Sequence, residues 1–257
     1  MASSYESIIM PLNNTSIKTK PWLHSSSMFN LAAPPGFVGF DPQRNVRTYV
    51  RHLPHWRQEC VTYFVTFRLA DSLPEKRVRE LQALRQQWEL QNPAPRSDGL
   101  WEALARLSIQ RIERWLDEGH GECVLKHSAM ADCLEQKLRH FDGRQYDLCA
   151  FVLMPNHVHL LVKPYSDATQ PLERIEQAWK THSAREINAL RGAIGPLWQR
   201  ESFDRIVRDE EHLYRCLQYI GNNPRRAGLT DLETRRWIRP DWVAAGWNFL
   251  DSSSTHP

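Results

Sequence analysis

Two apolar runs, YDLCAFVL (Tyr146–Leu153) and HVHLLVK (His157–Lys163), stand three residues apart, joined only by Met-Pro-Asn. A link that short joins neighbouring antiparallel strands, because a parallel crossover takes a dozen residues or more. The second run alternates on a period of two. His157, His159, Leu161 and Lys163 share one face, and Val158, Leu160 and Val162 share the other. The apolar set must face a helical layer, so the two imidazoles are expected side by side on the opposite, more open face.

Upstream, Val61, Tyr63, Val65, Phe67 and Leu69 alternate with Thr62, Phe64, Thr66 and Arg68, which predicts a strand with one strongly apolar face. Val78, Leu81, Leu84 and Trp88 then recur at helical spacing, between Pro74 and the breaker NPAPRSDG. A second helix follows over GLWEALARLSIQRIERWLDEG, and a third over Ser128 to His140. After the hairpin come a helix from Pro171 to about Leu190, a short strand in SFDRIVR, and a last helix, DEEHLYRCLQYIGNNP, acidic in its first turn as the helix dipole prefers. The resulting class is α+β: a ferredoxin-like βαββαβ antiparallel sheet with helices on one face, extra helices after the first strand, and a C-terminal helix carrying tyrosine. Residues 1–45, rich in Ser, Asn, Thr and Pro without sustained period, are expected as a disordered extension. Residues 46–240 are expected to form the folded domain, and 241–257 a fraying tail.

Composition excludes more than it selects. Hydrophobic residues at 41% and charged residues at 25% are ordinary for a globular domain, and a net charge of +3 makes no case for a polyanionic partner. No apolar run approaches the roughly 20 residues of a membrane span, and the N-terminus lacks the basic and apolar regions of a secretory signal. Cys60, Cys123, Cys133, Cys149 and Cys216 are scattered without a C-x-x-C, which suits buried, reduced thiols in a cytosol.

The chemistry-bearing residues fall in two places. His157 and His159 can occupy cis positions on one divalent ion, or can be two hydrogen-bonded sheet histidines. In YIGNNPRRAGL, Tyr219 and Asn223 are four apart on a helix and share a face. Tyr219 is a candidate nucleophile that needs help, since a phenol titrates at about 10. Asn223 before Pro224 is a metal ligand, an N-cap for a following turn, or both. Arg225 and Arg226 can hold phosphates. Thr66 and Arg68 border the histidines or are solvated sheet residues. Lys180, His182 and Arg185 on one helix, with Arg205 and Arg208 by the last strand, follow DNA or are solvated.

MPNHVHLLV, followed by LWQRESFDRIVRDEEHLYRCLQYIGNNPRRAGL, resembles the REP-associated tyrosine transposases, a branch of the single-tyrosine HUH transposases. The resemblance runs over roughly residues 50 to 240 and includes YFVTFRLADSLP. It implies a ferredoxin-like fold, the His-hydrophobic-His motif at His157, Val158 and His159, the nucleophile at Tyr219 and the helix's metal-assisting residue at Asn223. It also implies a Mg²⁺- or Mn²⁺-dependent endonuclease and strand transferase. That enzyme attacks single-stranded DNA beside REP hairpins, forms a 5′-phosphotyrosine link, and acts as monomer or homodimer in the bacterial cytoplasm, at the nucleoid. Tyr214 with Gln218 repeats the four-residue spacing and is the rival nucleophile. Tyr214 and Tyr219 sit about 140° apart around a helix, so they cannot both serve one metal. Two other readings are a hairpin-binding protein that no longer cuts, and a metal-dependent phosphodiesterase using water.

Overall fold

In the computed structural model the described residues are 31–50, 54–165, 171–230 and 233–250. Strands β1 (Arg47–Val50) and β2 (Pro54–Arg57) pair as a small antiparallel hairpin ahead of β3 (Tyr63–Arg68). Helices α1 (Glu75–Gln91), α2 (Asp98–Asp117) and α3 (Ser128–Arg139) lead to β4 (Tyr146–Leu153) and β5 (His157–Pro164). Then follow α4 (Leu172–Arg191), β6 (Phe203–Ile206), α5 (Glu210–Arg226), β7 (Arg235–Ile238) and the short α6 (Pro240–Ala244). Five strands form one antiparallel sheet in the order β6-β3-β5-β4-β7. Without β7 this is the ferredoxin-like order expected from the sequence.

The two faces of β5 separate as its alternation requires. Val158, Leu160 and Val162 join Tyr63, Val65 and Phe67 of β3 beneath α3 and α4, where Leu134, Leu138, Ile175 and Trp179 complete the larger core. On β4 the alternation breaks. A β-bulge between Leu148 and Ala150 inserts one residue, so Leu148 and Phe151, three apart, both reach this core. Cys149, Ala150 and Val152 turn to the other face.

That other face is not open. Helix α5 lies across it, with Leu213, Cys216, Leu217 and Ile220 at i, i+3, i+4 and i+7 packed on Phe64, Ala150, Val152 and Leu161. Asp209 caps α5 by accepting from the His212 N–H at 2.7 Å. The helix runs through Asn223 and Pro224 to Arg226, and the Asn223 carbonyl accepts from the Ala227 N–H at 3.1 Å. Asn223 is therefore an interior helical residue and not an N-cap. Burial of Pro224 offsets the local cost of proline within the helix.

Within the described residues the chain beyond Asp241 does not fray. Trp242 and Trp247 are fully buried, and their indole N–H groups donate to Pro35 and Ala32 carbonyls at 2.9 and 3.0 Å. A tryptophan buries more apolar area than other side chains while needing one acceptor, so two of them suffice to pin the chain to residues 31–37. Of the expected N-terminal extension, residues 1–30 lie outside the described residues, as do 251–257 of the tail.

The β1–β2 hairpin is anchored by a buried polar network. His55 Nδ1 lies 2.6 Å from Asp204 Oδ2 on β6, and Arg57 bridges Asp204 and Glu173, the latter at 2.8 Å. Tyr49 stacks on His55 at 5.0 Å and donates to Glu173. Burial alone would lower His55, but its hydrogen bonds to Asp204 and Glu201 outweigh it and lift the imidazole to about 9.

Candidate active site

The centre of the histidine face is built by β3, β5, α2 and α5. Register places Thr66 opposite His159 and Arg68 opposite His157. The two imidazoles lie edge to face, 4.7 Å apart, and both are buried. Each has its Nδ1 engaged: Thr66 Oγ1 lies 2.7 Å from that of His159, and Asn156 Oδ1 lies 2.7 Å from that of His157. Asn156 is itself held, its amide donating to the carbonyls of Leu116 and His120. Fixing Nδ1 orients each ring and leaves Nε2 as the outward nitrogen, the arrangement that surrounds metal-bound histidines.

Burial sets the protonation state. It pushes His157 down to about 3, against the Asn223 amide, which favours the charged ring. It holds His159 well below the usual imidazole range, helped by the charges of His157 and Arg205. Both rings are neutral at neutral pH, as nitrogen ligands must be.

Tyr219 joins them from α5. Its ring stands edge-on to His159 at 5.1 Å and to Phe64 at 5.8 Å, and the Arg226 guanidinium lies 5.0 Å from its centroid. The hydroxyl donates to Glu113 Oε2 at 2.5 Å. Burial raises the phenol well above its ordinary value, and the Glu113 charge and hydrogen bond add to the rise. Glu113 is raised by burial too, against the Tyr219 hydrogen bond and the Arg205 charge. Asn223, one turn on, is fully buried. Its amide is close enough to bias the protonation of His157 and Tyr219, yet neither amide atom completes a hydrogen bond. Tyr214 points elsewhere: its ring packs on Trp247 at 6.2 Å.

A divalent ion fits this donor set on one observation. His159 Nε2 and the Asn223 amide oxygen are buried polar atoms without a hydrogen-bond partner, a costly condition that a cation beside both would relieve. Among the described residues no group of three or more His, Cys, Asp or Glu could hold a metal ion.

The candidate DNA-contacting residues divide. Arg225 is exposed at the end of α5, and Arg226 pairs with Asp117 at 2.7 Å. Burial and Glu113 push Asp117 upward, but the direct ion pair favours its carboxylate. Arg208 is half-buried where β6 meets α5, with its N–H donating to His212 Nδ1. Arg205 lies over the Phe64 ring at 5.0 Å, on the histidine face. Lys180 belongs to the opposite side of the sheet, where its ammonium donates to the Gln199 and Arg200 carbonyls and Ser202. His182 and Arg185 are exposed on the same helix.

Sequence reasoning missed two members of this site and left a third open. Thr66, expected either beside the histidines or in solvent, is buried against His159. Asn156 looked like turn residue only. Glu113 left a signal: it stands four after Ile109 and three before Leu116, a carboxylate on the apolar face of α2.

No protein-family description matches the chain, and no curated protein matches it. Four solved chains match by structure. One is a REP-associated tyrosine transposase bound to a REP hairpin, with a TM-score of 0.34 and 13% identity over 71% of this chain and 75% of that one. This is a distant likeness. No helix of the described residues is long and apolar enough to cross a membrane.

Proposed function

We propose that this chain is a divalent-metal-dependent, single-strand DNA endonuclease and strand transferase of the transposase type. It acts beside REP-type hairpins through a 5′-phosphotyrosine intermediate. One observation carries the reading: the Tyr219 ring rests on His159, within one helical turn of an unsatisfied, buried Asn223 amide. The motifs MPNHVHLLV and YIGNNPRRAGL support the same assignment.

His157 and His159, through Nε2, and the Asn223 amide oxygen would hold a divalent ion. When bound, Mg²⁺ or Mn²⁺ would supply Lewis-acid polarisation of the scissile phosphate. Thr66 and Asn156 lock the imidazoles against rotation. The Tyr219 oxygen attacks phosphorus, the bond to the 3′-oxygen breaks, and the 5′-phosphate stays on the tyrosine. Bond energy is conserved, so a second 3′-hydroxyl can reverse the step without ATP. Arg225 and Arg226 lie on the same helix end and serve the flanking phosphates.

The test is a denaturing gel of 3′-labelled palindromic single strands incubated with the full chain and Mn²⁺. A protein-linked label that disappears in Tyr219→Phe and His157→Ala, with hairpin binding retained, is the expected result. Adducts that persist in Tyr219→Phe and vanish in Tyr214→Phe would move the nucleophile. Free 5′-phosphates without adduct would indicate water as the nucleophile, and binding without cleavage a protein that only recognises the hairpin.

A further inference from the structure

We propose that Glu113 on α2 accepts the Tyr219 hydroxyl proton during cleavage and returns it during religation; this rests on the reading of Tyr219 as the nucleophile. The carboxylate touches the reacting atom directly, with Glu113 Oε2 2.5 Å from the Tyr219 hydroxyl oxygen. Other basic groups around the phenol have other partners or assignments. His159 and His157 have Nδ1 held by Thr66 and Asn156 and Nε2 assigned to the divalent ion, and Asp117 is paired with Arg226. An amide such as Asn223 is no base.

A purely structural role explains Glu113 poorly. It sits between Ile109 and Leu116 on the apolar face of α2, 9% exposed, where glutamine would satisfy the phenol without the desolvation cost of a carboxylate. That same burial makes the carboxylate a stronger proton acceptor than a solvated one. Arg205, whose charge favours the ionised form, lies on the same sheet face. A cavity of about 350 Å³ between α1–α2 and the sheet is lined by Thr66, Arg68, Ile112, Glu113 and Phe203.

The step balances. As the Tyr219 oxygen–phosphorus bond forms, the O–H electron pair stays on oxygen and the proton passes to Glu113. The phosphorus–3′-oxygen bond breaks, the departing oxygen takes a proton from solvent, and Glu113 keeps the tyrosine proton until religation. Religation runs the same steps in reverse.

The experiment measures the single-turnover rate of adduct formation on a 3′-labelled palindromic single strand with Mn²⁺, using the full chain. Glu113→Gln keeps a hydrogen-bond acceptor and should slow the rate by about 10²-fold or more, with hairpin affinity unchanged. Glu113→Asp should recover part of that loss. Glu113→Ala should regain rate with added formate, which fits the cavity and supplies a carboxylate; a packing defect would not respond. Wild-type rates in Glu113→Gln, faster adducts, or a Glu113→Ala defect indifferent to formate would each overturn the proposal. Adducts that survive Tyr219→Phe, or a wild-type chain that forms none, would instead overturn the reading on which it rests.

Discussion

Replacing Thr66 by valine removes one hydroxyl from a buried pair and leaves shape almost unchanged. Thr66 Oγ1 lies 2.7 Å from His159 Nδ1, with both residues buried and the other ring nitrogen, Nε2, already unsatisfied. The variant's imidazole would have a partner at neither nitrogen. An orphaned buried donor costs about 1–3 kcal/mol, and outer-shell partners of metal-bound histidines are worth roughly 10–100-fold in metal affinity. At about 1.4 kcal/mol per tenfold, the two scales agree. Thr66→Val should therefore raise the half-saturating Mn²⁺ for adduct formation about 10–100-fold, leave the rate at saturating Mn²⁺ within a few fold, and weaken Mn²⁺ binding by calorimetry to the same degree. Thr66→Ser, which keeps the hydroxyl, should stay near wild type. An unchanged Mn²⁺ midpoint in Thr66→Val would refute the claim that His159 is a ligand oriented by Thr66.

Stability should depend on pH through His55. Its folded value, about 9, lies above the unfolded 6.5, so its stabilisation is complete below pH 6.5 and lost as pH rises through 9. The window corresponds to about 3 kcal/mol. Urea unfolding at pH 6 and 9.5 should show wild type losing that much more than His55→Gln; equal losses would exclude the His55–Asp204 pair as the cause. Trp247→Ala should cost about 3–5 kcal/mol, since the indole is fully buried and donates to the Ala32 carbonyl. A cost under 1 kcal/mol in denaturant unfolding would mean that residues beyond Asp241 are not part of the folded unit. Gly221→Ala should gain nothing from its helix propensity, because a Cβ there would stand 2.6 Å from Phe249; a Gly221→Ala,Phe249→Ala pair should recover most of any loss.

Much of this architecture can be read from periodicity. The hairpin strands, α3, α4 and α5 stand within a residue or two of where alternation, helical spacing and caps place them. The histidine face was legible because two of every four β5 residues are unbroken aliphatics. Less legible were elements whose reason to exist is distant. Strand β7 is four residues, RRWI, ordered by pairing with β4, and β1–β2 is held by contacts to Asp204 and Glu173 far along the chain. The β4 bulge cannot be seen in an all-apolar run. Strand alternation alone did not show that a helix covers the histidines, because it gives a face without naming what lies on it. That Tyr219 and Asn223 share a helix face followed from their four-residue spacing, which Tyr214 and Gln218 also have. Glu113 required knowing that α2 approaches α5.

The tyrosine that becomes covalently attached to DNA decides the mechanism. Trypsin separates the candidates: Tyr214 falls in the peptide Asp209–Arg215, and Tyr219 in Cys216–Arg225. Mass spectrometry of nuclease-trimmed, trypsin-digested adduct should find the nucleotide phosphate on Cys216–Arg225, at Tyr219. Nucleotide on Asp209–Arg215, or cleaved DNA with neither peptide modified, would contradict it.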